Sequence, residues 1–123
     1  MEFYADLSLT ASPERLQALV EIPALPRLCA SVDRVLEHAG DVGRIYCIWG
    51  EFAVERQSIR HGVRFSLPGC PNALAWTVTG EADGVRVHCT INRREHDPDF
   101  IESIETFVAD WADGLGAALA EAA

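Results

Sequence analysis

The chain has 123 residues, of which 49% are hydrophobic and 24% are charged, as in ordinary soluble globular domains. Its formal net charge is −9 at pH 7, and its basic residues are all arginines. Because an acidic domain repels phosphate backbones and anionic lipid surfaces, we expect no nucleic-acid partner and no membrane partner.

The same features set expectations about size, compartment and cofactors. A chain of this length predicts one domain, over residues 1–123. The start of the sequence is acidic and has no basic run, unlike a secretory signal peptide. The four cysteines form no CxxC pair, so we expect reduced thiols in a cytoplasm, and the exclusive use of arginine fits a GC-rich bacterial genome. No cofactor motif occurs, and we expect no cofactor and no metal.

The first third of the chain predicts one strand and then two short helices. EFYADLSL (2–9) alternates as a strand does. The Ser-Pro-Glu run at 12–14 is typical of a helix start, with a capping hydroxyl, a proline and an acid in the first turn. Pro23 and Pro26 end that helix because proline lacks the N–H that the helix needs. A second helix is predicted to stop at Gly40, with the apolar residues Leu28, Val32, Val35 and Leu36.

From Gly43 to Asn92 the apolar period changes to two, which predicts antiparallel strands. The loop PGCPN (68–72) consists of turn residues and separates two of these strands. The predicted strands occupy residues 44–50, 51–57, 62–67, 73–79 and 84–92.

The chain closes with a long amphipathic helix that begins at Asp97 and Pro98, a cap followed by proline at the first helical position. Its apolar stripe is Phe100, Ile101, Ile104, Phe107, Val108, Trp111, Leu115 and Leu119. Because only the sheet offers an apolar surface large enough to cover this stripe, we predict an α+β fold. An antiparallel sheet of about five or six strands packs against the C-terminal helix, and two short helices follow the first strand.

Two segments carry a resemblance to a known superfamily. TASPERLQALV (10–20) is similar to the passage from first strand to first helix, and HDPDFIESIETFVADWADGLGAALAEA (96–122) to the closing helix, of the helix-grip fold of START and Bet v1-like proteins. They cover about a third of the chain. A chain of 123 residues is short for that superfamily. The resemblance implies an apolar or amphipathic small molecule held between the sheet and the helix. It implies no catalytic residue, because the catalytic members share no fixed pattern.

Five side chains are the candidates for binding such a molecule. They are Phe65, Trp76, His88, Phe107 and Trp111. The four aromatic residues lie on the apolar faces of the predicted strands and helix, where a tryptophan in a cavity wall would need a partner for its N–H. His88 would lie at the mouth of the cavity.

Residues 88–97 hold the densest polar chemistry. His88 and His96 could be metal ligands or an acid–base pair, whereas in the interpretation that we favour His88 faces solvent and RREHD is a charged loop. Cys70 is a candidate reactive thiol, which would form a nucleophilic pair only if the fold brought His61 or His88 next to it. Five arginines would either form an anion-binding patch or pair with local acids. They are Arg60, Arg64, Arg86, Arg93 and Arg94.

The sequence therefore favours a non-catalytic protein that binds an apolar or amphipathic small molecule between sheet and helix. The alternative is an acidic protein-interaction module without such a ligand: a dimeric adaptor, a chaperone or an immunity-like protein that uses a sheet edge or the acidic helix. A small enzyme that works through Cys70 or His88 is the third class.

Overall fold

Seven strands and three α-helices form an α+β fold in the computed structural model, which describes residues 1–92 and 97–121. The strands are β1 (Glu2–Leu7), β2 (Val32–Ala39), β3 (Val42–Cys47), β4 (Gly50–Ile59), β5 (Gly62–Ser66), β6 (Ala75–Glu81) and β7 (Gly84–Thr90). The helices are α1 (Pro13–Leu19), α2 (Leu25–Leu28) and α3 (Pro98–Glu121), and a 3₁₀ turn (Ile22–Ala24) precedes α2. The predicted fold class is confirmed, with seven strands in place of five or six.

All seven strands belong to one antiparallel sheet in the order β1-β7-β6-β5-β4-β3-β2. Strands β2 to β7 follow one another through hairpins, and β1 returns beside β7. The helices α1 and α2 lie in the connection between the two edge strands, and α3 packs on the sheet. This arrangement is compatible with a helix grip.

The prediction of a second helix that stops at Gly40 is wrong, because residues 32–39 form the strand β2. Helix α2 ends at Leu28, and the following segment pairs with β3. The pairing shifts register twice along β2, and the shifts leave Val32 and Val35 on the inner face only three residues apart. A spacing of three also suits a helix, so β-bulges imitate the helical pattern here. Gly40, at φ +60°, makes the turn into β3.

One face of the sheet, here called the inner face, is buried under α3. The alternating residues of β5, β6 and β7 point to it as predicted, with Phe65, Trp76 and Cys89 in one cross-strand row. The residues of α3 that cover this face are Ile104, Phe107, Val108, Trp111, Leu115, Ala118 and Leu119. None of the described helices is both long enough and apolar enough to cross a membrane.

Polar contacts fix the start of α1 and both ends of α3. Ser12 caps α1 by accepting a hydrogen bond from the Arg15 backbone N–H at 3.1 Å, and the Asp97 carboxylate accepts from the Asp99 N–H at 2.8 Å. The Arg15 guanidinium donates to the carbonyl of Leu119 at 3.0 Å, where the C-terminal end of a helix favours a cation. The helix starts predicted at Ser12 and Asp97 are confirmed.

Candidate functional site

Four of the five predicted ligand-binding side chains meet between the sheet and α3. Phe65 and Trp76 are cross-strand partners whose stacked rings have centroids 5.2 Å apart. Trp76 contacts Phe107 edge-on at 4.9 Å and Trp111 at 6.3 Å. All four side chains are at most 1% exposed. We call Phe65, Trp76, Phe107 and Trp111 the aromatic cluster.

Two polar groups of this cluster are buried without a hydrogen-bond partner among residues 1–92 and 97–121. They are the indole Nε1–H groups of Trp76 and Trp111. The third tryptophan differs, because Trp49 Nε1–H donates to Ser103 Oγ at 2.8 Å. An indole N–H can only donate, and a buried donor left unpaired costs about 1–3 kcal/mol. Buried polar groups are nearly always paired, so two unpaired donors in one apolar cluster mark it as the candidate site.

A surface groove lies between β1 and α3, near the aromatic cluster. The groove has a volume of about 350 Å³, and its lining residues are Phe3, Tyr4, Ala5, Glu105, Val108 and Ala109. Phe3 lies opposite Cys89 on the inner face, and Cys89 lies opposite Trp76. One strand therefore separates the groove from the aromatic cluster.

His88 lies apart from the aromatic cluster, on the outer face of the sheet. Its ring stacks on the Tyr4 ring with centroids 4.4 Å apart, and its Nε2 lies 3.1 Å from Glu2 Oε1. The Arg86 Cζ lies 5.0 Å from the Tyr4 ring centroid, and its Nε donates to the Asp6 carboxylate at 2.7 Å. That hydrogen bond holds the pKa of Asp6 below its ordinary value. The structure therefore gives His88 partners on β1 rather than a position beside the aromatic cluster.

Three residues considered for polar chemistry, Arg93, Arg94 and His96, lie outside the described residues. Arg64 and Arg86 lie on β5 and β7 with β6 between them, and each is bonded to a neighbouring strand. In the part of the chain that the structure describes, no three histidine, cysteine or carboxylate side chains lie together as a metal site.

The loop between β5 and β6 turns the chain where PGCPN predicts. The Leu67 N–H donates to the Leu74 carbonyl at 3.1 Å and the Cys70 N–H to the Leu67 carbonyl at 2.9 Å, so the loop is closed at its base. Cys70 is partly exposed, and its thiol is not hydrogen-bonded to a histidine of the described chain. His61 is exposed in the β4–β5 turn.

The four thiols are expected to react very differently. Burial raises the pKa of Cys29 and of Cys89 to about 12, and it also raises the pKa of Cys47. At about pH 8 a thiol of this pKa is thiolate in roughly one molecule in 10,000, and the thiolate is the reactive form. We expect a disulfide dye to modify one thiol per folded chain quickly, Cys70, and all four after unfolding. Cys70→Ser should remove the fast phase, and a fast phase that survives would contradict this assignment.

Arg56 is a buried charged residue that is not among the candidates in the sequence analysis. Its side chain is 8% exposed and fastens the end of α1. Nε donates to the Val20 carbonyl at 2.8 Å, and a terminal nitrogen donates to the Gln17 carbonyl at 2.6 Å. The other terminal nitrogen lies 3.1 Å from Asp41 Oδ1. The sequence offered one signal for its burial. Arg56 follows the apolar residue Val54 by two positions, and in a strand two such residues face the same side.

The edge formed by β2 is a second candidate surface. Among the described residues, β2 ends the sheet without a further strand. Exposed large hydrophobic side chains lie on it and beside it: Leu36, Val42, Tyr46 and Ile48. A free edge presents backbone groups that can pair with another chain, but the two register shifts along β2 interrupt that row.

Comparison of the chain with models of protein families, with curated proteins and with solved structures gave no match.

Proposed function

We propose that this protein binds a small apolar or amphipathic molecule between its sheet and α3, in the manner that the helix-grip resemblance implies. The order of the strands and the packing of α3 on the sheet support this proposal, since they are compatible with a helix grip. The binding residues would be Phe65, Trp76, Phe107 and Trp111.

One observation carries the proposal: the aromatic cluster contains two buried N–H donors that no described residue satisfies. Phenylalanine at these positions would bury no donor, although it would leave the volume of the second ring unfilled. A bound molecule that supplies an acceptor would remove the cost of one or both donors. Ligand sites combine an apolar lining with a few polar groups in this way.

The groove between β1 and α3 gives such a molecule an approach. Its apolar residues Phe3 and Val108 belong to the same buried core as Trp76. Because the aromatic side chains contact one another, binding requires them to rearrange and α3 to shift relative to β1. Burial of each CH₂ group of the ligand contributes about 0.8 kcal/mol toward that rearrangement.

Native mass spectrometry of the protein purified from its own host tests the proposal. We expect a monomer that retains a small-molecule adduct. Trp111→Phe keeps the ring but removes one unpaired donor, so the fraction carrying the adduct should fall several-fold. Trp49→Phe is the matched control, since its N–H is already bonded to Ser103, and the adduct should remain. A bare monomer in all three samples would contradict the proposal.

A homodimer or a complex with another protein through β2 is the second candidate function. The exposed residues Leu36 and Tyr46 favour it, and the register shifts in β2 oppose it. A bare dimer, or a protein bound in fixed proportion, in the same spectra would favour this candidate over the small-molecule ligand.

A further inference from the structure

We propose that the molecule bound by the aromatic cluster is uncharged and carries a carbonyl oxygen that accepts a hydrogen bond from Trp76 or Trp111. This inference rests on the proposed function and adds the chemical class of the ligand. It depends on three properties of the buried side chains: which of them can donate a hydrogen bond, whether any can pair with a charged ligand, and which donors are already hydrogen-bonded within the protein.

The unpaired groups require an acceptor. Both are indole N–H groups, which donate and cannot accept. A ligand hydroxyl would accept from them but would bring a hydrogen of its own into the apolar interior. A carbonyl oxygen has two lone pairs and no hydrogen. It can therefore satisfy one or both indoles without leaving a new donor unpaired.

The interior disfavours a charged ligand. Arg56 is the buried cation among the described residues, and its contacts with Gln17, Val20 and Asp41 already engage all three guanidinium nitrogens. An anion placed beside Trp76 would therefore lose its hydration without gaining a free counter-ion, which costs several kcal/mol. This argument separates a ketone, ester or similar neutral molecule from a fatty acid.

The rest of the lining is apolar. Trp76 is flanked across the strands by Phe65 on one side and Cys89 on the other. Burial raises the pKa of the Cys89 thiol to about 12, so this group is neutral. The non-carbonyl part of the ligand should accordingly be hydrocarbon.

Three probes of matched size test the inference by titration into ¹⁵N-labelled protein. They are octan-2-one, 2-methyloct-1-ene, in which CH₂ replaces the carbonyl oxygen, and octanoate. Each tryptophan gives its own indole N–H signal, which can be assigned with Trp→Phe variants. We expect the ketone to bind about tenfold more tightly than the alkene, the effect of one hydrogen bond of about 1.4 kcal/mol. Octanoate should bind at least tenfold more weakly than the ketone.

The indole signals give a readout that does not depend on a variant folding well. The ketone should move the proton signal of Trp76 or Trp111 downfield and leave that of Trp49 in place. In the Trp→Phe variant that removes the shifted indole, the ratio of the affinity for the ketone to the affinity for the alkene should fall toward one. Trp49→Phe should bind both probes as the unaltered protein does.

The outcomes separate this inference from the proposed function. If the alkene binds as tightly as the ketone, the binding site stands and the carbonyl inference is overturned. If octanoate binds most tightly, the claim of an uncharged ligand is overturned. If none of the three probes binds and native spectra show no adduct, the proposed function fails together with the inference.

Discussion

Gly114→Ala is expected to lower the free energy of unfolding by about 2–4 kcal/mol. Gly114 lies in α3 where the helix crosses the end of α2. A Cβ there would overlap the carbonyl oxygen of Leu28 and lie 2.5 Å from its carbonyl carbon and 3.0 Å from the Arg27 oxygen. These are backbone atoms, which cannot turn aside as a side chain can. The variant must therefore lift α3 from α2, and the denaturation midpoint measured by circular dichroism should fall.

Gly116→Ala is the matched control, because it makes the same chemical change two residues further along α3. A Cβ there meets only Leu7 Cδ2, at 3.4 Å, an ordinary contact. Alanine is favoured over glycine in a helix by up to about 1 kcal/mol, so this variant should be as stable as the original protein or slightly more stable. Equal midpoints for the two alanine variants would show that α3 does not approach α2 this closely in solution.

Arg56→Met is expected to lower the free energy of unfolding by about 3 kcal/mol. Methionine can fill much of the buried volume, but it cannot donate to the carbonyls of Gln17 and Val20, which then lose their partners at the end of α1. Each unsatisfied buried carbonyl costs about 1–3 kcal/mol. Urea denaturation of the two proteins measures the difference.

Asp41→Asn separates the ion pair of Arg56 from its carbonyl contacts. The Asp41 side chain is 61% exposed, and ion pairs with exposed partners contribute about 0–1 kcal/mol. We therefore expect this variant to lose less than about 1 kcal/mol, and its stability should depend little on salt. A loss as large as that of Arg56→Met would mean that the ion pair, and not the carbonyl contacts, is what stabilises this corner.

The sequence predicts those elements whose pattern is local. Period-two alternation identifies β5, β6 and β7, and the caps at Ser12 and Asp97 identify the starts of α1 and α3. The pattern fails at β2, because its two register shifts replace strict alternation by a spacing that a helix shares. A β-bulge inserts a residue, and beyond it the side chains of the strand point to the opposite faces of the sheet. Such a bulge can be recognised only once the partner strand is known.

The candidate site was predictable in part for a related reason. Phe65, Trp76, Phe107 and Trp111 lie on apolar stripes, and stripes on a sheet and on its covering helix must meet. Whether an indole finds an acceptor depends on residues distant in sequence. Ser103 accepts from Trp49, whereas no residue of the described ranges accepts from Trp76 or Trp111. His88 joins Tyr4 and Glu2 only because β1 returns beside β7. None of these pairings can be predicted from the sequence near the residue itself.

Along one side of α3, hydrogen bonds and a close backbone approach join the helix to the rest of the chain, whereas along the other side the contact of Arg15 with Leu119 is confined to the C-terminal end. Ser103, Phe107, Asp110 and Gly114 follow one helical stripe, and each contacts a residue between Leu28 and Trp49. The opposite stripe, from Glu105 through Val108 to Gly116, faces β1, where the contacts are largely apolar. Because fewer hydrogen bonds join α3 to the chain on this side, we expect amide hydrogen exchange in α3 to begin along the β1 side. Under the proposed function, the rate of this opening would limit how quickly the ligand enters or leaves.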